Sequence, residues 1–243
     1  MGQEQSVHAI RSLHQRRLPS RTEVSGPLRT SYVQYTLRSK HQQHDTVVKI
    51  LAPDSPSNIT RVVYVLPCSP QVTYRWGDGL DTFLRHDLHN RHQVAAVAPY
   101  FADWPWMADH PSDPGTQQVR YLLEDVLPLV DALFPQASRQ LLGMSKSGTG
   151  SLQLLLRYPD LFASAAVFDL PMMKTSPDQW EMPDFWGSDE YYEPYAIPLL
   201  LEERCAQFRD RPRIALFGHG FFGKDHPDWT IDHITAGHQL MER

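Results

Sequence analysis

Residues 141–148 read Leu-Leu-Gly-Met-Ser-Lys-Ser-Gly, an apolar run that meets Ser145 with the small residues Gly143 and Ser147 two places to either side. A serine hydroxyl becomes a useful nucleophile when a base can take its proton and the chain presents it openly. A sharp strand-to-helix turn does the presenting: it forces the serine into a strained backbone conformation, lifts Oγ above the sheet, and tolerates only small residues two before and two after. Gly143 meets that demand, and Ser147 stands where glycine is the common choice. Gly-x-Ser-x-small also recurs by chance, and a Gly/Ser cluster between apolar runs is often a plain turn. Here the context argues for chemistry, because residues 149–157 carry a helical apolar pattern (Leu152, Leu154, Leu155, Leu156) that stops at Tyr158-Pro159.

Attack on a carbonyl also needs donors for the developing oxyanion. The backbone N–H of Lys146, at the start of that helix, is one expected donor; its side chain, adjacent to Ser145, diverges and cannot serve as the base. The second donor is expected from the loop after the strand at 62–66, where Pro70 has no N–H and Cys68, Ser69 or Gln71 remain.

The elements that must hold these groups follow from hydrophobic patterning. Residues 31–38 alternate and 44–51 are β-branched, which predicts a strand pair at the N-terminal edge. Buried strands are expected at 62–66 and 94–98, with a helix at 81–89, and a further helix at about 117–134. After the elbow strand and its helix come a strand at 164–168, an aromatic excursion to about residue 195, a helix near 197–208, a strand at 213–217 and a final helix from about 229 to 242. Strands alternating with helices specify a mostly parallel sheet covered on both faces. Residues 1–29 differ, with five arginines against Glu4 and Glu23 and few large apolar residues, and are expected to be a disordered basic arm ahead of one domain spanning 30–243.

Composition excludes several classes. The net charge of −5 over 243 residues carries no nucleic-acid footprint, and no apolar run approaches a bilayer span. Cys68 and Cys205 have no metal-site or disulfide-framework spacing, so a cytoplasmic location and no cofactor are expected. Residues 1–6 fit the minimal myristoylation pattern, which is short. Gly218-His219-Gly220-Phe221-Phe222-Gly223 fits a dinucleotide fingerprint, but a phenylalanine pair fills its variable places and no further strand follows to complete a βαβ unit. His86, His89 and His92 fan around a helix and cannot converge on one ion, which predicts a solvated face.

The elbow, the segment Arg157-Tyr158-Pro159-Asp160-Leu161-Phe162 after its helix, and Tyr74-Arg75-Trp76-Gly77-Asp78-Gly79-Leu80 together resemble α/β-hydrolases of the esterase group that includes esterase D and mycolyltransferase-like enzymes. The resemblance covers roughly residues 31–243. It implies a serine esterase in which Ser145 forms an acyl-enzyme with a small-molecule ester. It also implies a triad acid after a later strand: Asp225, after the strand at 213–217, or alternatively Asp169, either of which could instead be a capping or turn residue. In such enzymes the histidine follows one more strand beyond the last helix. This chain stops at Arg243, so the expectation is a C-terminally incomplete domain lacking the last strand, with His219, His226, His233 and His238 all placed too early. Two readings therefore stand: an active serine esterase, or an inert or truncated relative that retains ligand binding. An uncovered sheet edge would favour self-association. Trp104-Pro105-Trp106 and the aromatic stretch 180–192 fall in connections that overhang the elbow, and suggest a wall for an apolar, aryl or sugar-bearing substrate or ordinary loop packing.

Overall fold

The computed structural model describes residues 20–25, 31–55, 58–70, 79–218 and 230–242. Eight strands form one sheet in the order β1-β2-β3-β5-β4-β6-β7-β8. They are β1 (Ser20–Ser25), β2 (Ser31–Leu37), β3 (Thr46–Leu51), β4 (Arg61–Val65), β5 (Ala95–Pro99), β6 (Ser138–Met144), β7 (Ser164–Phe168) and β8 (Ile214–Phe217). The first three strands pair antiparallel, and β3 joins β5 antiparallel; from β5 through β4, β6 and β7 to β8 every pairing is parallel. The sheet is thus mostly parallel, as the alternation of strands and helices predicts.

Side chains on successive residues of β5 divide between the two faces. Ala95 and Val97 join the larger core with Leu152, Leu155 and Ile197, whereas Ala96 and Ala98 join a smaller one with Leu80 and Phe83. That period of two is why residues 94–98 read as an unbroken apolar run: both faces are covered. The covering helices include α1 (Gly79–Arg85) and α2 (Leu88–His92) on one side and α5 (Lys146–Arg157) and α8 (Ile197–Arg204) on the other. Between them in sequence lie α3 (Gln118–Tyr121), a π turn (Leu122–Val126) and α4 (Leu127–Leu133), then α6 (Met182–Trp186) and α7 (Asp189–Tyr192); α9 (Thr230–Met241) closes the described chain.

Three expectations are corrected. Ser20–Ser25 belong to the sheet, paired with β2 from Ser20↔Thr36 to Ser25↔Ser31, so the basic arm is not disordered throughout; the ladder of β2 offers backbone partners that composition does not reveal. The helix expected at 81–89 is two helices, broken where Asp87 turns left-handed at φ 53. His89 consequently lies buried instead of on a solvated face, while His86 and His92 remain exposed. The excursion after β7, too long and too aromatic for a simple connector, is a compact unit in which Phe185, Trp186, Tyr192 and Tyr195 pack with Trp106 and Ala108 from the connection after β5. Among the described residues no strand pairs with the outer side of β8.

Candidate active site

The carboxyl ends of the parallel strands are tied together by hydrogen bonds that run past the regular ladder. Leu66 N–H donates to Leu142 O at 2.9 Å, Ser145 N–H to Phe168 O at 3.0 Å, and Asp169 N–H to Phe217 O at 3.2 Å. They fix one rim of the sheet, and Ser145 sits on it between β6 and α5. Its backbone has φ 54° and ψ −120°, a combination that side chains other than glycine's avoid and that costs on the order of 1–3 kcal/mol. The helix begins at Lys146, three residues before the expected start, because the turn is complete within Ser145.

Tight approach explains the neighbours of Ser145. A Cβ on Gly143 would lie 2.2 Å from Ser147 O, 2.5 Å from Ser147 C and 2.5 Å from Ser151 Oγ, so only glycine fits. Ser147 contributes more than small size. Its fully buried Oγ accepts from Met144 N–H at 3.1 Å and lies 2.9 Å from Leu66 O and 3.0 Å from Met144 O. The hydroxyl therefore staples the end of β4 to the turn after β6, a role that a glycine could not fill. Thr149 N–H donates to Ser145 O at 3.0 Å, the first turn of the helix.

Lys146 carries its ammonium away from Ser145 into the aromatic connections. Nζ lies 3.0 Å from Glu181 Oε2, 4.5 Å from the ring centre of Trp104 and 5.4 Å from that of Trp106. Glu181 and Trp180 both hold left-handed backbones, at φ 63° and 51°, where the excursion turns into α6. On the other side stand Cys68 and Ser69, in the connection after β4. Burial pushes the Cys68 thiol up, while the Ser69 hydroxyl and the charge of Lys146 pull it back. The expected donors Lys146, Cys68 and Ser69 thus gather on the rim. Neither Lys146 N–H nor Ser69 N–H has a protein acceptor among the described residues.

Asp169 follows β7 in a left-handed conformation, φ 50°. Asp225, His219, His226, Gln71 and the glycine-rich segment from 219 to 223 lie outside the described residues. Of the remaining histidines, His233 on α9 accepts a hydrogen bond at Nδ1 from Met173 N–H at 3.0 Å, and burial pushes its pKa down. His238 is exposed. Among the described residues no group of three His, Cys, Asp or Glu could hold a metal ion, and no helix is long and apolar enough to cross a membrane.

The strand order, the parallel carboxyl-end rim and the strained serine between strand and helix define an α/β-hydrolase fold. The family model described as "Putative esterase" matches residues 89–216, more than half of the chain, and the chain belongs to this esterase family of the α/β-hydrolase type. Solved structures share the fold at low sequence identity. An S-formylglutathione hydrolase from Agrobacterium tumefaciens is 14% identical with a TM-score of 0.62, covering 94% of this chain and 99% of that one. MPT51 (FbpC1) of Mycobacterium tuberculosis is 15% identical with a TM-score of 0.62, over 90% and 84%. A ferulic acid esterase is 18% identical with a TM-score of 0.62, over 87% and 85%. Curated proteins return no match.

Proposed function

We propose that the protein is a serine carboxylesterase in which Ser145 is the nucleophile. The observation that carries this reading is the backbone of Ser145, held at φ 54° and ψ −120° in a turn where Gly143 has no room for a Cβ. A fold retains such strain where it serves a site, and here it projects a hydroxyl from the rim. Ser145 Oγ attacks the ester carbonyl and gives up its proton, which ends on the leaving oxygen as the tetrahedral intermediate expels the alcohol; water then cleaves the acyl-enzyme, returning a proton to Oγ and releasing the acid. Lys146 N–H, at the head of a twelve-residue helix, and the N–H of Cys68 or Ser69 hold the oxyanion. Asp225 is the proposed acid, with Asp169 as the alternative. Trp104, only partly buried and packed against the Lys146 side chain, supports an apolar or aryl wall beside the nucleophile, while Trp106 is buried behind it in the aromatic core. The free thiols of Cys68 and Cys205 accord with a cytoplasmic location.

Labelling with a fluorophosphonate tests the assignment. The expected result is one adduct, mapped to Ser145 and lost in Ser145→Ala. No adduct under conditions that label ordinary esterases would sink the active reading and leave the inert, ligand-binding one. Self-association through β8 is a separate proposal, supported by the 60% exposure of Phe217 on that strand. A concentration-independent monomer in light scattering would count against it.

A further inference from the structure

The first part of the excursion after β7 is held at its two ends. Met172 and Met182 are fully buried, and Met173 N–H donates to His233 Nδ1 at 3.0 Å. Between the two methionines only Pro177 is buried, while Thr175, Asp178 and Glu181 are exposed, so residues 174–181 run over the surface as a strap. The strap bonds mainly within the excursion itself. Lys174 Nζ reaches Asp178 and lies 3.1 Å from Gln179 Oε1, Ser176 Oγ donates to Asp189 Oδ1 at 2.7 Å, and Tyr192 OH donates to Lys174 O at 3.3 Å. Among the described residues one hydrogen bond or ion pair leaves the excursion from this strap. It joins Glu181 Oε2 to Lys146 Nζ at 3.0 Å, and Lys146 is the residue after the nucleophile.

The local backbone is bent to make that contact. Trp180 and Glu181 hold consecutive left-handed conformations, which bulky residues avoid. Glu181 occupies the N-cap position of α6, yet its side chain caps nothing there and turns to Lys146 instead. The Lys146 side chain is 15% exposed, and its ammonium lies over the Trp104 and Trp106 rings. An ammonium so far withdrawn from water draws more from a carboxylate than one on an open surface does. Trp180, next to Glu181, packs against the aromatic core that contains Trp106, so the strap lies between that core and the head of α5.

We propose that the Lys146–Glu181 pair is a clasp that seats the strap against the nucleophile's helix, and that Glu181 is a positioning residue for ester hydrolysis, a role that rests on the esterase reading. Glu181 touches no reacting atom and acts through Lys146. With the clasp closed, the strap and Trp104 together form the wall against which the larger part of the ester rests. With it open, the strap is held only by its buried ends, and the wall loses one side. A short acyl group has little contact with such a wall and a long one has much, so the clasp bears on the binding of long acyl chains and leaves Ser145 and its oxyanion donors in place.

Tryptic cleavage of the full chain after Lys174, located by mass spectrometry, reads the open strap, because cutting of a transiently opened segment follows its population. Glu181→Ala should speed that cleavage about fivefold, the weight of one partly exposed ion pair. Glu181→Gln keeps an acceptor without the charge and should fall between. Glu181 is nearly half-exposed, so its replacement is compatible with folding. Adding Glu181→Ala to Lys146→Met should speed cleavage no further than Lys146→Met alone. The same ratios are expected in Ser145→Ala, where no catalysis occurs. In the active protein Glu181→Ala should raise KM for 4-nitrophenyl hexanoate about fivefold with kcat changed less than about twofold, and should move KM for 4-nitrophenyl acetate less. Cleavage unchanged by Glu181→Ala, additive effects in the double variant, or a fall in kcat at constant KM would overturn the clasp. Absence of ester hydrolysis in the parent, with the cleavage ratios as expected, would instead overturn the esterase reading and with it the positioning role.

Discussion

Replacing Gly143 by alanine adds one methyl group at the place where the turn is tightest. The added carbon would stand 2.2 and 2.5 Å from the carbonyl of Ser147 and 2.5 Å from Ser151 Oγ. A side chain can swing aside, but the Ser147 carbonyl belongs to the first turn of α5 and is held by the helix that follows. Ser147 is also bound through Oγ to β4 and to Met144, so relief requires the helix to move off the sheet. Overpacking that must displace backbone costs about 3 kcal/mol, at the upper end of its usual range. For a chain of this length, that lowers the melting temperature by roughly 6–12 °C. Gly187→Ala is the matched control: its φ is +73° but no atom lies within 4 Å, so only the left-handed penalty of about 1 kcal/mol applies. Thermal and urea denaturation of the two variants measure the difference, and fluorophosphonate labelling reports whether Ser145 is still presented. A Gly143→Ala protein that melts within roughly 2 °C of the parent, or no lower than Gly187→Ala, would refute the claim that the turn admits only glycine.

Three further outcomes are expected. Ser145→Gly should abolish esterase activity while raising urea stability by about 1 kcal/mol, because relief of backbone strain outweighs the greater freedom of glycine in the unfolded chain; a loss of stability would show that the turn is not strained. His233 has its folded pKa pushed down, first by burial and then by Lys174, with Asp232 opposing. The neutral ring therefore contributes stability that is fully present above the unfolded value of about 6.5 and lost as pH falls through the folded pKa. His233→Gln should flatten the urea midpoint over that acidic window, and an unchanged slope would exclude His233 as its source. Glu181→Gln should cost less than about 1 kcal/mol, and less still in high salt, because the carboxylate is nearly half-exposed; a larger loss in a salt series would mean that the Lys146 pair is effectively desolvated.

Much of the framework is legible in local pattern. β-branched and alternating runs mark β2, β3, β4 and β5, and the strand expected at 164–168 coincides with β7. The break between α1 and α2 was not legible, because Asp87 in a left-handed conformation leaves no compositional mark of the kind a glycine or proline would. The π turn at Leu122–Val126 is likewise silent, since its apolar residues continue an ordinary helical stripe. At the site, Gly143, Ser145 and Lys146 could be read from spacing alone. Ser147 could be read only as small, because its partner Leu66 O lies 81 residues away.

Sequence by itself determined the alternating architecture and the strained serine, since both are properties of a few consecutive residues and the conformations open to them. Tertiary structure alone decided what surrounds that serine. Lys146 reaches Glu181 and two indoles because parallel strands must be joined by long crossovers. Those crossovers bring their connections to one rim of the sheet, and no short-range pattern records which of them meet there.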